Sequence, residues 1–101
     1  MVRFEWDDAK ARSNERKHGV SFEDAMLVFA DPYALMAQDR AVSGELRWQT
    51  IGMAAGIVLL LVAHTVRDEQ EQEIIRIISA RKATRKECKR YDENRKEEPL
   101  G

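Results

Sequence analysis

One cysteine, Cys88, stands in this 101-residue chain, so an intrachain disulfide is excluded and the composition fits a reducing cytoplasm. A structural thiol is its expected role. Histidine is nearly as scarce: His18 and His64 are the only two, with no C-x-x-C and no H-E-x-x-H pattern, so no metal site is expected. No glycine-rich phosphate loop is present and nothing marks a nucleophile elbow, so no cofactor is expected either. The opening MVRFEWDDAK lacks an apolar signal core. The longest apolar run, Ile51 to Ala63, is interrupted by Gly52 and Gly56 and falls short of the ~18 residues of a membrane span. Two buried strands and their turn are expected there, and no membrane contact.

An excess of one charge is also lacking. The formal net charge is −1, with 44% hydrophobic and 35% charged residues, ordinary for one globular domain. The distribution is less even. Residues 1 to 80 carry nine Lys/Arg against thirteen Asp/Glu, and residues 81 to 101 carry eight against five. Arg81, Lys82, Arg85, Lys86, Lys89 and Arg90 face one acid within that cluster, Glu87. Such a cluster can neutralise phosphates locally; it can equally be a solvated helix face.

Hydrophobic periodicity organises the rest. Val2, Phe4 and Trp6 alternate with Arg3 and Glu5, which predicts a strand over 2–6. Asp7 caps a polar helix over 8–18 that stops at Gly19. Ser21 opens a second helix with Asp24 three residues on, and Phe22, Ala25, Met26 and Phe29 make its apolar face. Asp31-Pro32 ends it. Strands are then expected over Tyr33–Gln38, Leu46–Met53, Ile57–Arg67 and Glu73–Arg81. Asp39–Glu45 is expected as a loop, Ala54-Ala55-Gly56 as a turn, and Asp68–Gln72 as an acidic connection. Thr84 with Glu87 forms a capping box, T-x-x-E, which starts a last helix near 85 that fades before Pro99; the tail from Glu97 should fray. The prediction is one α+β domain: a strand, two helices, an antiparallel meander and a C-terminal helix.

Polar residues sit at the ends of very apolar strands. His64 and Arg67 close LLLVAHTVR, Arg76 interrupts EIIRIISAR, and Ser79 and Arg81 close it. An arginine is costly to bury alone, so Arg76 needs a carboxylate, a wet cleft or an anionic ligand. If the two strands form a hairpin with His64 opposite Arg76, both share one face, and Ser79 and Arg81 share the other with Thr65 and Arg67. The sequence does not fix that register. Each residue also has a plainer role: Arg76 paired with Glu5 or Glu73, His64 a satisfied interior histidine, Arg81 bound to local backbone, Tyr91 an apolar anchor and Trp6 core. Metal-free RNA cleavage needs proton transfer and cations around phosphorus. Histidine exchanges protons near neutral pH, and arginine forks match phosphate oxygens. One histidine with two or three arginines suffices for that chemistry without specifying it.

Three stretches carry a resemblance: FEWDDAKARSNERKHGVSFEDAMLVFADP, GELRWQTIGMAAGIVLLLVAHTVRD and IRIISARKATRKECKRYDE. With K-H-G-V-S-F and R-I-I-S-A-R-x-A in this order, the chain resembles the BrnT family of ribonuclease toxins from Phe4 to Glu93. The resemblance implies a compact α+β fold related in architecture to RelE-type ribonucleases. It implies RNA cleavage that arrests translation in the cytoplasm. It implies a cognate BrnA-type antitoxin, whose ribbon-helix-helix part binds operator DNA. On matching positions the site candidates are His64, Arg67, Arg76 and Arg81, with Tyr91 and Lys17 in support. His64 is the expected proton-transfer residue, Arg76 and Arg81 the expected phosphate ligands, and Lys82, Arg85, Lys86 and Lys89 the hold on flanking RNA. Two stretches depart from the family pattern: Asp68–Gln72 is longer and more acidic than a short turn, and the Asp39–Ser43 loop lacks the usual acidic-glycine character. A non-catalytic binding module, or a subunit that pairs strands with a partner, uses the same residues structurally.

Overall fold

The computed structural model describes residues 1–96. The expected fading of the last helix toward Pro99 and the tail from Glu97 lie outside those residues. Among the described residues the fold is α+β, with five strands in one sheet and three α-helices. In chain order they are β1 (Val2–Glu5), α1 (Asp8–His18), α2 (Phe22–Leu27) running into a 3₁₀ turn (Val28–Ala30), β2 (Leu35–Val42), β3 (Glu45–Ala54), β4 (Val58–Glu69), β5 (Gln72–Lys82) and α3 (Arg85–Lys96). Across the sheet the order is β1-β5-β4-β3-β2. β1 runs parallel to β5, and the other pairings are antiparallel.

Local chemistry sets the helix ends. Asp7 accepts from the Lys10 amide at 3.0 Å and Ser21 from the Asp24 amide at 3.1 Å, which satisfies free N–H groups of each first turn. Gly19 closes α1 in the left-handed region, φ 70°. Thr84 and Glu87 form the reciprocal box before α3, at 2.8 and 3.2 Å.

Two expectations about loops are corrected. β2 runs through Asp39 to Val42, and only Ser43-Gly44 turns, both at positive φ. The exposed Gln38-Asp39-Arg40 segment is a charged, bulged edge strand, where no buried face enforces apolar alternation. β4 and β5 likewise continue through Asp68, Glu69 and Gln72, leaving Gln70-Glu71 as a two-residue turn with φ of 50° and 65°. Primed turns of this kind match the twist of the flanking strands. The acidic segment is therefore the tip of a long hairpin.

The sheet has two unlike faces. Alternation along β4 sends Leu60, Val62, His64 and Val66 one way and Leu61, Ala63, Thr65 and Arg67 the other. Leu60, Val62, Ile75, Ile77 and Ala80 pack with Phe22, Ala25 and Val28 in the main core, under α2. There the 3₁₀ turn presses on β3 at Gly52, where a Cβ would lie 2.6 Å from the Val28 side chain. On the opposite face a smaller cluster of Ile51, Leu61 and Tyr91 seats α3. The rest of that second face is left uncovered by helix.

β1 pairs with only the first part of β5, ending at Glu5 beside Arg76. Beyond it the buried Asn14 of α1 takes over. Its amide nitrogen donates to the Ala80 carbonyl at 2.8 Å and its oxygen accepts from the Ala80 amide at 3.1 Å. One side chain thus replaces a strand at a bare sheet edge.

Candidate nucleic-acid interface

The hairpin register decides which polar residues meet. His64 pairs with Ile77 and Thr65 with Arg76, while Ala63 pairs with Ser79. Ile78 is an extra residue in β5, and the bulge it makes shifts the register by one. The supposed pairing of His64 with Arg76 is thereby corrected. His64 lies on the helix-covered face, and Arg67, Arg76, Ser79 and Arg81 lie on the open one.

His64 is fully buried. Phe29 stacks edge-on against its ring at 4.9 Å. Nδ1 is 3.3 Å from the Thr65 carbonyl oxygen and Nε2 is 2.8 Å from Thr50 Oγ1. A carbonyl only accepts, so Nδ1 carries the proton and Nε2 accepts from the threonine hydroxyl. Burial pushes the imidazole pKa below its ordinary value, against the raising effect of the Thr65 carbonyl. A neutral, hydrogen-bonded interior ring is the state this environment favours.

On the open face, four strands contribute one residue each to a row: Glu5 from β1, Arg76 from β5, Thr65 from β4 and Arg47 from β3. Glu5 pairs with Arg76 and Arg76 with Thr65. Continuing the Trp48–His64 pairing by one step sets Arg47 beside Thr65. Adjacent strands are about 4.8 Å apart, so the row spans roughly 14 Å. Arg67 and Arg3 flank it. The Arg76 side chain is exposed and, among the described residues, makes no ion pair. Thr65 Oγ1 and Arg47 Nε are buried polar atoms without a hydrogen-bond partner. Arg47 Nε faces the Glu45 carboxylate at 4.0 Å, an ion pair without a hydrogen bond, and Thr65 is only 3% exposed.

Glu5 is the carboxylate of this row. Its Oε1 accepts from Arg67 at 2.6 Å. That bond, together with the charges of Arg67, Arg3 and Arg76, holds the carboxyl below its ordinary range against slight desolvation. Arg67 also reaches Glu69 at 3.3 Å.

The other candidates lie elsewhere or are engaged. Arg81 makes a two-pronged pair with Glu87, at 2.8 and 3.0 Å, and donates to the Lys82 carbonyl. Its fork is occupied in joining β5 to α3. Tyr91 is 1% exposed and its hydroxyl donates to Asp31 Oδ2 at 2.7 Å; burial and that bond raise its pKa to about 12. It is the anchor of α3 and offers neither ring nor hydroxyl to solvent. Asp31 also accepts from the Met53 and Tyr33 amides, at 2.8 and 2.9 Å. Burial would raise its pKa, but the bonds from Tyr91, Met53 and Tyr33 outweigh it and lower the carboxyl. Trp6 packs edge-on against Phe22. Lys82, Arg85, Lys86 and Lys89 are exposed at and beyond the end of β5. Lys17, also exposed, borders a shallow groove of about 190 Å³ along the sheet edge, beside Ser79.

Sequence reasoning passed over Arg47 and Asn14 and gave Glu5 only a pairing role. A half-buried arginine between Leu46 and Trp48 was the available signal for Arg47. Among the described residues no three His, Cys, Asp or Glu side chains converge as metal ligands, and no helix is long and apolar enough to cross a membrane.

Three comparisons bear on this geometry. A family model described as the ribonuclease toxin, BrnT, of type II toxin–antitoxin system matches residues 6–87. No curated protein matches the chain. The crystal structure of the Brucella abortus ribonuclease toxin BrnT is similar, with a TM-score of 0.57 and 23% identity over 84% of this chain and 99% of that one. At that identity the likeness bears on the fold.

Proposed function

The chain belongs to the BrnT family of ribonuclease toxins of type II toxin–antitoxin systems, and on that premise we propose that it is a metal-independent endoribonuclease whose site is the open sheet face. The row Glu5–Arg76–Thr65–Arg47 carries the reading, because at its centre stands an exposed arginine, Arg76, that makes no ion pair among the described residues. A phosphodiester seated over Arg76 and Thr65 would take charge-assisted hydrogen bonds from Arg76, with Arg47 reaching the far side. Such donors count most where negative charge develops in the transition state. Arg67 supports the site by holding Glu5. Lys82, Arg85, Lys86 and Lys89, with Lys17 at the sheet edge, hold flanking backbone in a salt-dependent way.

In this reading the RNA 2′-oxygen attacks phosphorus, the P–O5′ bond breaks, and the products carry a 2′,3′-cyclic phosphate and a 5′-hydroxyl. Burial and two hydrogen bonds support a structural role for His64 beneath the site. The Glu87 pair supports an anchoring role for Arg81. The frame is RelE-like in this account. The toxin acts in the cytoplasm, arrests translation by cutting RNA, and is neutralised by a BrnA-like ribbon-helix-helix antitoxin through which alone it meets operator DNA.

Incubation of the purified protein with an RNA oligonucleotide in excess EDTA tests the reading. Cleavage should survive and leave cyclic phosphate ends, and a single 2′-deoxy at the cut site should abolish cutting while binding remains. Loss of activity in EDTA with rescue by a divalent ion, or 5′-phosphate ends, contradicts it.

A further inference from the structure

β1 does more than extend the sheet. Parallel pairing with β5 puts Glu5 next to Arg76 on the open face. A carboxylate beside a phosphate site is a repulsive feature unless it has work there, since like charges in close range oppose binding. Glu5 cannot be dismissed as the partner of an otherwise stranded cation. Arg67 already has Glu69, and Arg76 makes no ion pair among the described residues, though its charge is felt by Glu5 and Asp7. Oε1 of Glu5 is taken by Arg67 at 2.6 Å, while Oε2 makes no hydrogen bond to a described residue. The bonded oxygen fixes the carboxyl, and the other is free at the edge of the row, one strand from Arg76.

We propose that Glu5 is the proton acceptor of the RNA-cleaving reaction, with Arg67 as its positioning residue. The proposal rests on the ribonuclease reading of the open face given above. Glu5 Oε2 takes the proton from the ribose 2′-hydroxyl as the O2′–P bond forms. The P–O5′ bond breaks, the departing 5′-oxygen takes its proton from water, and the hydroxide so formed takes the proton held by Glu5, which restores the carboxylate. The exposed Arg76 holds the phosphoryl oxygens through the step. The arginine neighbours that keep this carboxyl ionised also lower its basicity, so the acceptor acts through its position beside Arg76 and not through base strength.

Charge separates this role from shielding. Glu5→Gln removes a negative charge from a phosphate site and keeps the side-chain shape. Binding of a cleavage-resistant 2′-O-methyl RNA should be unchanged or tighter, while cleavage of the matching RNA falls about a hundredfold or more. In Glu5→Ala, millimolar formate should restore part of the rate in proportion to its concentration, an effect that a shielding or purely structural carboxylate would not give. Both variants are compared at matched melting behaviour, so that a loss of folded protein is not counted as lost chemistry. Wild-type cleavage with Glu5→Gln cutting as fast or faster overturns the assignment and leaves the ribonuclease reading standing. Loss of RNA binding together with cleavage, without rescue by formate, also overturns it. Absence of cleavage by the wild-type protein overturns the ribonuclease reading itself.

Discussion

His64 and Arg76 project from opposite faces of the same hairpin, because Ile78 bulges from β5 and moves Arg76 opposite Thr65. The two residues that sequence spacing invites one to combine are separated by the thickness of a sheet. Their environments differ accordingly. The imidazole is sealed beneath Phe29 with both nitrogens hydrogen-bonded. The guanidinium stands in the open among Glu5, Thr65 and Arg67.

Removing the ring should therefore act on stability. His64→Ala leaves a cavity in the main core and strips Thr50 of its partner, so it should cost about 2–4 kcal/mol of folding free energy. Chemical denaturation measures this, and cleavage per folded molecule should stay within a few-fold of wild type. A well-folded His64→Ala protein that has lost a hundredfold in cleavage would return the histidine to the chemistry.

The Arg81–Glu87 pair should give an acid-sensitive hold on α3. The Glu87 carboxyl is lowered from 4.5 to about 2, first by the Arg81 hydrogen bond, against burial and with help from Thr84. A folded-state value below the unfolded one means that the stabilisation is present above about 4.5 and lost as pH falls through about 2. The melting-temperature gap between wild type and Glu87→Gln should be largest near neutrality and shrink across that window. Arg81→Ala should destabilise by about 1–3 kcal/mol. A gap that does not change with pH would show that the pair contributes through packing alone.

Charge on α3 should contribute to binding and little to the reaction. Lys86→Ala with Lys89→Ala should weaken binding of RNA and reduce its dependence on salt, by about one unit of logarithmic slope per lost contact at most. The cleavage rate at saturating RNA should change little. An unaltered slope would make this helix face an ordinary solvated surface.

Much of the fold is legible in the sequence because local rules and tertiary context agree there. Asp7, Ser21 and the Thr84–Glu87 box cap the helices they announce, and the dense apolar runs of β4 and β5 mark the core. The edge strand β2 and the hairpin tip were hidden because solvent faces them and polar residues cost nothing there. The site was harder. Register depends on one bulge, and a bulge leaves no mark in EIIRIISAR, where isoleucines stand on both sides of Arg76 and the extra residue Ile78 looks like its neighbours. Glu5 and Arg47 come from strands far apart in sequence from Arg76, and only the sheet order β1-β5-β4-β3 assembles them. Arg81 and Tyr91 looked functional by residue type, but their partners, Glu87 and Asp31, show what they hold together.

Arg76→Ala tests the central claim most directly, because this exposed side chain has no ion pair among the described residues. The measurement is the single-turnover cleavage rate of an RNA oligonucleotide at saturating protein, with thermal melting as the fold control. The account predicts unchanged melting and a rate lower by about a hundredfold or more, the usual loss for a donor aimed at developing charge. An Arg76→Ala protein that melts like wild type and cuts RNA at the wild-type rate would contradict it.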